Sequence, residues 1–108
     1  MMMSVTPAQI RRLRGVVLKL VGMQHANQRH RYDDYSLLET LERLHFPAHL
    51  NLVRTIVQDL IERQCLTAEQ VRDRRAGEVA IYKIQITPRG RDILEGTIAD
   101  AGIAVDVE

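Results

Sequence analysis

Apolar residues recur at helical spacing from the start of the chain. Ile10, Leu13, Val17, Leu20 and Val21 fall on one face of a predicted first helix. Thr6 precedes this run as a cap, Pro7 suits the first helical position, Gln9 completes a capping box, and Gly22 is a natural stop. Residues 23–35 (MQHANQRHRYDDY) are polar and aperiodic, which predicts a loop with room for a short extended segment. Ser36 and Glu39 form a second capping box, opening a short helix whose apolar positions are Leu37, Leu38, Leu41 and Leu44. His45-Phe46-Pro47 ends it, because the residue before a proline disfavours helical backbone. A third helix is predicted from about residues 48–51 to residue 63, with Leu50, Val53, Ile56, Val57, Leu60 and Ile61 as its apolar stripe. Its opposite face carries Asn51, Thr55, Gln58, Asp59 and Glu62. Two amphipathic helices separated by a few residues have the spacing of a helix-turn-helix.

Beyond Leu66 the period changes from helical to alternating. Residues 79–87 are rich in β-branched side chains, with Ala80, Tyr82, Ile84 and Ile86 on one face, and predict a strand. Its partner is expected around residues 70–73, joined to it by a hairpin loop over residues 74–78. Residues 67–70 read equally as the start of a helix or as part of that strand. Thr87 and Pro88 cap a last short helix, from residue 89 to about residue 95, which Gly96 ends. The pattern therefore predicts an α+β fold of one domain. Its core spans about residues 6–96 and its acidic tail residues 97–108.

Composition narrows the class. A chain of 108 residues, 45% hydrophobic and 27% charged, suits a single globular domain. The lone cysteine, Cys65, cannot form an internal disulfide and sits in the apolar run 61–66, so a buried thiol and a reducing cytoplasm are expected. The first residues lack the apolar core of a secretion signal, and no run approaches 18 apolar residues, so neither secretion nor membrane spanning is expected. The net charge of +1 conceals an asymmetry. Residues 1–32 hold six bases and no acid, residues 92–108 hold five acids and no base, and residues 1–91 alone carry 15 bases against nine acids, a balance of +6. A basic body with an acidic tail is compatible with nucleic-acid binding without demanding it.

Two segments carry a family resemblance. Residues 53–66 (VRTIVQDLIERQCL) resemble the recognition helix and exit of winged-helix regulators, with Gln64-Cys65-Leu66 where those proteins usually have a Gly-Leu pair. Residues 84–91 (IQITPRGR) look like the strand-to-helix exit of the same superfamily, where Thr87 would cap and Gly90 would let the last helix pack closely. The whole layout, over about residues 8–103, resembles the small winged-helix proteins of Mu-like phages and prophages. The resemblance implies a winged helix-turn-helix: a three-helix core, a two-stranded hairpin wing and a short C-terminal helix. It further implies a DNA-binding regulator of phage or mobile-element origin. In that mode the third helix enters the major groove, offering Asn51, Arg54, Thr55 and Gln58 to bases and phosphates. Arg72, Arg74 and Arg75 at the wing tip would meet phosphates or the adjacent minor groove, and Arg11, Arg12 and Arg14 would touch backbone from a flank. Double-stranded DNA and a second copy in a homodimer are the partners expected.

Each feature also has a plainer alternative. Asp59 and Glu62 on the third helix repel phosphate, and its polar residues read equally as a solvated face. The wing arginines are flanked by Asp73 and Glu78, which would pair with them, and the Arg11, Arg12 and Arg14 set suits an ordinary wet helix face. The competing function is a winged-helix module that docks a protein. Ile98, Ile103 and Val105 in the tail would form a self-association surface if exposed; otherwise the tail folds back on its own domain. His45 and His49 have metal-like spacing, but Pro47 breaks the helical register that such a pair needs, so no metal site is expected. Adjacent Asp33 and Asp34 read as caps or solvated charge. No nucleophile elbow, phosphate loop or dinucleotide turn is visible, so the chain is expected not to be an enzyme and to need no cofactor or small-molecule ligand.

Overall fold

The computed structural model describes residues 6–27, 31–72 and 79–105. Its elements are α1 (Pro7–Asn27), α2 (Asp34–Arg43), α3 (Leu50–Glu62), β1 (Leu66–Arg72), β2 (Val79–Ile86) and α4 (Pro88–Glu95). Among the described residues the result is an α+β fold of four helices and one antiparallel hairpin, and none of these helices is long and apolar enough to cross a membrane. Val17, Leu18 and Val21 of α1, Leu37 and Leu41 of α2, and Val57 and Leu60 of α3 meet Ile81 and Ile84 of β2 in one buried core.

Helix starts follow local chemistry. At α1 the expected capping box is present: the Gln9 amide donates to Thr6 Oγ1 at 3.2 Å and the Thr6 amide to Gln9 Oε1 at 2.9 Å. Gly22 does not stop this helix, which continues to Asn27 through Met23, Gln24 and Ala26, all good helix formers. Gly22 instead makes room for a neighbour, since a Cβ there would lie 2.8 Å from Leu94 Cδ1. The predicted loop is correspondingly shorter. At its end Tyr32 bridges to Ile84, whose amide donates to the Tyr32 carbonyl at 2.9 Å.

The second helix begins earlier than the box at Ser36 and Glu39 predicts. Asp33 is the cap: its carboxylate accepts the Ser36 amide at 2.7 Å, and Ser36 Oγ accepts the Asp33 amide at 2.9 Å. This frame satisfies two otherwise orphaned donors reciprocally, and it places Asp34, Leu37 and Leu41 on the inward face. The third helix is capped by His49, whose Nδ1 accepts the Leu52 amide at 3.2 Å.

Both α2 and α3 end with a left-handed residue that is not glycine. His45 (φ 62°) and Gln64 (φ 63°) turn the chain so that Phe46 donates to the Leu41 carbonyl and Cys65 to the Leu60 carbonyl, each at 2.9 Å. Gln64 thus occupies the position where a glycine would relieve the backbone, and its carbonyl still accepts Thr87 Oγ1 at 2.6 Å. Gln64→Gly keeps that bond and is expected to raise stability by about 0.5–1 kcal/mol, read as a higher urea midpoint at unchanged slope.

The hairpin resolves the ambiguous residues 67–70 as strand. It also corrects the predicted face of β2. Between the pairs Thr67↔Gln85 and Glu69↔Tyr82, β2 has one residue more than β1, and Lys83 takes a φ of 52°. This bulge breaks the two-residue alternation. Ile81, Ile84 and Ile86 are buried while Tyr82 is exposed, so Tyr82 does not share the inward face of Ile84 and Ile86. The predicted turn over residues 74–78 lies outside the described residues. α4 has the predicted caps but begins one residue earlier, at Pro88, with Thr87 Oγ1 accepting the Gly90 amide at 3.1 Å and Gly96 in the left-handed region at φ 80°. Cys65 is buried as expected, and burial pushes its thiol above the ordinary range.

The tail folds back on its own domain. Ile103 is buried, the Ala104 amide donates to the Arg11 carbonyl at 3.1 Å, and Arg14 Nη1 donates to the Gly102 carbonyl at 2.9 Å. Asp100 anchors it, with Oδ1 accepting Arg63 Nη1 at 2.7 Å and the Gly102 amide at 2.8 Å. Burial pushes the Asp100 carboxyl upward, but the Gly102 amide and the Arg63 and Arg89 guanidinium groups outweigh it and hold the group below the ordinary carboxylate range. Its folded value lies below its unfolded one, so its stabilisation is complete above the unfolded value and disappears as pH falls through the folded one. The stability difference between the wild type and Asp100→Asn is therefore expected to shrink as denaturation is repeated from neutral pH down to the acid limb.

Candidate nucleic-acid interface

Along the outer side of α3, Asn51, Thr55, Gln58 and Glu62 follow one another at intervals of four, three and four residues, which is one row on a helix surface. Asn51, Thr55 and Glu62 are exposed and Gln58 is half-buried. The row opens onto a groove of about 680 Å³ whose other wall is the hairpin, through Gln70, Val79 and Ile81. Gln70 pairs with Ile81 and Arg72 with Val79. Directly opposed residues share a face of the sheet, so exposed Arg72 extends the groove wall beyond Gln70.

The sequence-predicted residues do not occupy equivalent places. Asn51, Arg54, Thr55 and Gln58 all line the groove, but Arg54 forms part of its floor. Its side chain is only 13% exposed, and Nε donates to Asp34 Oδ2 at 2.8 Å. Asp34 is fully buried, and the same oxygen accepts the Ile81 amide at 3.1 Å. One carboxylate therefore ties α2, α3 and β2 together behind the row. The Arg54 guanidinium carbon also lies 5.9 Å from the centroid of the Tyr35 ring. Thr55 donates its hydroxyl proton to the Asn51 carbonyl at 2.9 Å, leaving its oxygen as an acceptor. Arg72 is on the groove side of the hairpin, whereas Arg74 and Arg75 lie outside the described residues, as do Asp73 and Glu78.

The flank differs from expectation. Arg14 is not on the solvent side of α1. It is largely buried and paired with Asp59, because the tail covers that side of the helix and the Gly102 carbonyl holds the guanidinium inward. Asp59, which lines the groove, is thereby balanced by Arg14 and, at 3.7 Å, by Arg63. Arg11 and Arg12 remain exposed, with Arg12 lying 5.9 Å from the centroid of Phe46.

Two members of the site escaped the sequence reading. Gln70 was hidden by the ambiguity of residues 67–70. Asp33 and Asp34 read as caps or solvated charge; Asp33 is a cap, but Asp34 is neither, and its spacing of three and seven residues from Leu37 and Leu41 marks it as inward once the helix starts at the right residue. Among the described residues, no three His, Cys, Asp or Glu side chains are grouped to hold a metal ion. No protein-family model, curated protein or solved structure matches the chain.

Proposed function

We propose that the chain is a winged-helix protein that binds duplex DNA and regulates transcription in the cytoplasm, of phage or mobile-element origin, with no catalytic role. The observation that carries this reading is the polar row of α3 opening onto a groove flanked by a hairpin with Arg72 on its groove side. In this reading α2 and α3 form the helix-turn-helix, β1 and β2 the wing, and α3 enters the major groove. Arg72, Arg74 and Arg75 bind phosphates, and a homodimer supplies enough contacts for useful affinity. The balanced charge of Asp59 supports the reading by reducing repulsion in the C-terminal half of α3.

The test is binding of fluorescent random-sequence duplex at low and moderate salt. Binding is expected to weaken steeply with salt. Changing Arg72, Arg74 and Arg75 to Ala together is expected to lower the logarithmic salt slope by about two to three, at about 0.9 per phosphate contact. A second reading, a winged-helix module that docks a protein, is favoured by exposed Glu62 beside Asp59 at the C-terminal end of the groove. Absence of any duplex binding at low salt would reject the DNA reading and leave this one.

A further inference from the structure

We infer that the row Asn51, Thr55 and Gln58 reads A·T base pairs in the major groove, with Glu62 accepting from cytosine at its far end, and that guanine is not its target. This deepens the DNA reading above and rests on it. From Asn51 to Glu62 the helix rises about 16 Å, a length of roughly five base pairs. Along it the chemistry lining the groove is two carboxamides, a hydroxyl whose proton is already given to the Asn51 carbonyl, and a carboxylate.

A carboxamide offers a donor and an acceptor side by side, which matches the adenine edge; a carboxylate only accepts, which suits the cytosine amine. The Thr55 methyl group suits the thymine methyl, and its acceptor oxygen suits the adenine amine of an A·T pair. Guanine presents two acceptors and is best met by a bidentate cation. The cation on this half of α3 is Arg54, which sits behind the row with Nε committed to buried Asp34. Arg14 and Arg63 are turned towards Asp59. The reading face of the helix is thus built from groups that pair with A, T and C.

The experiment mixes the full chain with a random-sequence duplex pool and sequences what is retained. Enrichment of adenine-containing sites is expected. Asn51→Ala and Gln58→Ala, checked for unchanged circular dichroism, are each expected to weaken binding to the selected duplex about tenfold while leaving binding to a scrambled duplex unchanged. Gln58→Arg is expected to replace one retained A·T pair with G·C, a change that a merely structural role would not produce. Enrichment of G·C pairs at more than the one position assigned to Glu62 by the wild type, retention without sequence preference, or the same preference in both alanine variants would overturn the inference while DNA binding stands. No retention at low salt would overturn the DNA reading and this inference with it.

Discussion

Asp34→Ala is expected to destabilise the protein by about 3–5 kcal/mol, the range for breaking a buried ion pair by removing one partner. The carboxylate is fully buried, and one oxygen accepts both the Arg54 guanidinium and the Ile81 amide. Its loss deprives the Ile81 amide of that acceptor at a cost of about 1–3 kcal/mol, and leaves a largely buried guanidinium without that counter-charge. Arg54 lines the groove and has a short route to water, which places the expected value towards the lower end. Urea denaturation of Asp34→Ala, Arg54→Met and the double variant completes the test. The double variant is expected to be more stable than Asp34→Ala, because an apolar pair no longer requires desolvated charge to be matched. A loss below about 1 kcal/mol for Asp34→Ala would mean that the pair is not a structural tie. The same tie fixes the floor of the groove, so the variant is also expected to lose any specific ligand of that groove.

What the sequence reveals follows the range of the interactions involved. Thr6 with Gln9, Thr87 with Pro88, and Gly96 act within a few residues, and these caps of α1 and α4 are where the pattern predicts them. The stripe of α3 is equally legible, because a helix of this length has only one way to bury it. The candidate residues of α3 come with that stripe: once its apolar side faces inward, Asn51, Thr55 and Gln58 must face out or line a groove. Arg54 shows the limit of this logic. Helical phase places it beside the exposed row, but only the distant Asp34 decides that its guanidinium turns inward. Likewise the bulge at Lys83 is set by pairing with both β1 and Tyr32, and alternation along β2 alone cannot signal it. Arg14 is drawn in by a tail 88 residues further along the chain. Gly22 looks like a helix end because glycine often is one. Its use here, to admit Leu94, becomes visible only when α4 is docked.

Gly90→Ala tests that docking directly and is expected to cost about 3 kcal/mol, at the upper end for overpacking. A Cβ at residue 90 would overlap the Cys65 carbonyl oxygen, lie 2.9 Å from Ile86 Cγ1 and 3.1 Å from Leu18 Cδ1. The carbonyl cannot retreat freely, because it accepts the Thr87 amide at 3.0 Å and follows the left-handed turn at Gln64. Leu18 is fully buried on the opposite side, so α4 would have to lift from both α1 and the β2 exit. The higher helix propensity of alanine, about 1 kcal/mol over glycine, offsets only part of this. Gly15→Ala provides the contrast. Its Cβ would overlap the Ala104 carbonyl, but that carbonyl belongs to a tail segment rather than to a packed helix. The tail can detach, so the loss there is limited to its own docking, chiefly the burial of Ile103, at about 1.5–3 kcal/mol less the same propensity gain. Thermal denaturation is expected to rank Gly90→Ala below Gly15→Ala, and hydrogen exchange is expected to show faster exchange of the Ala104 amide in the Gly15 variant with the core amides protected. Equal losses, or a Gly90→Ala protein as stable as the wild type, would show that α4 does not approach the Cys65 turn this closely. The wall of the groove would then lack the fixed support that the proposed docking of α3 on DNA requires, since the Cys65 turn is where α3 passes into β1.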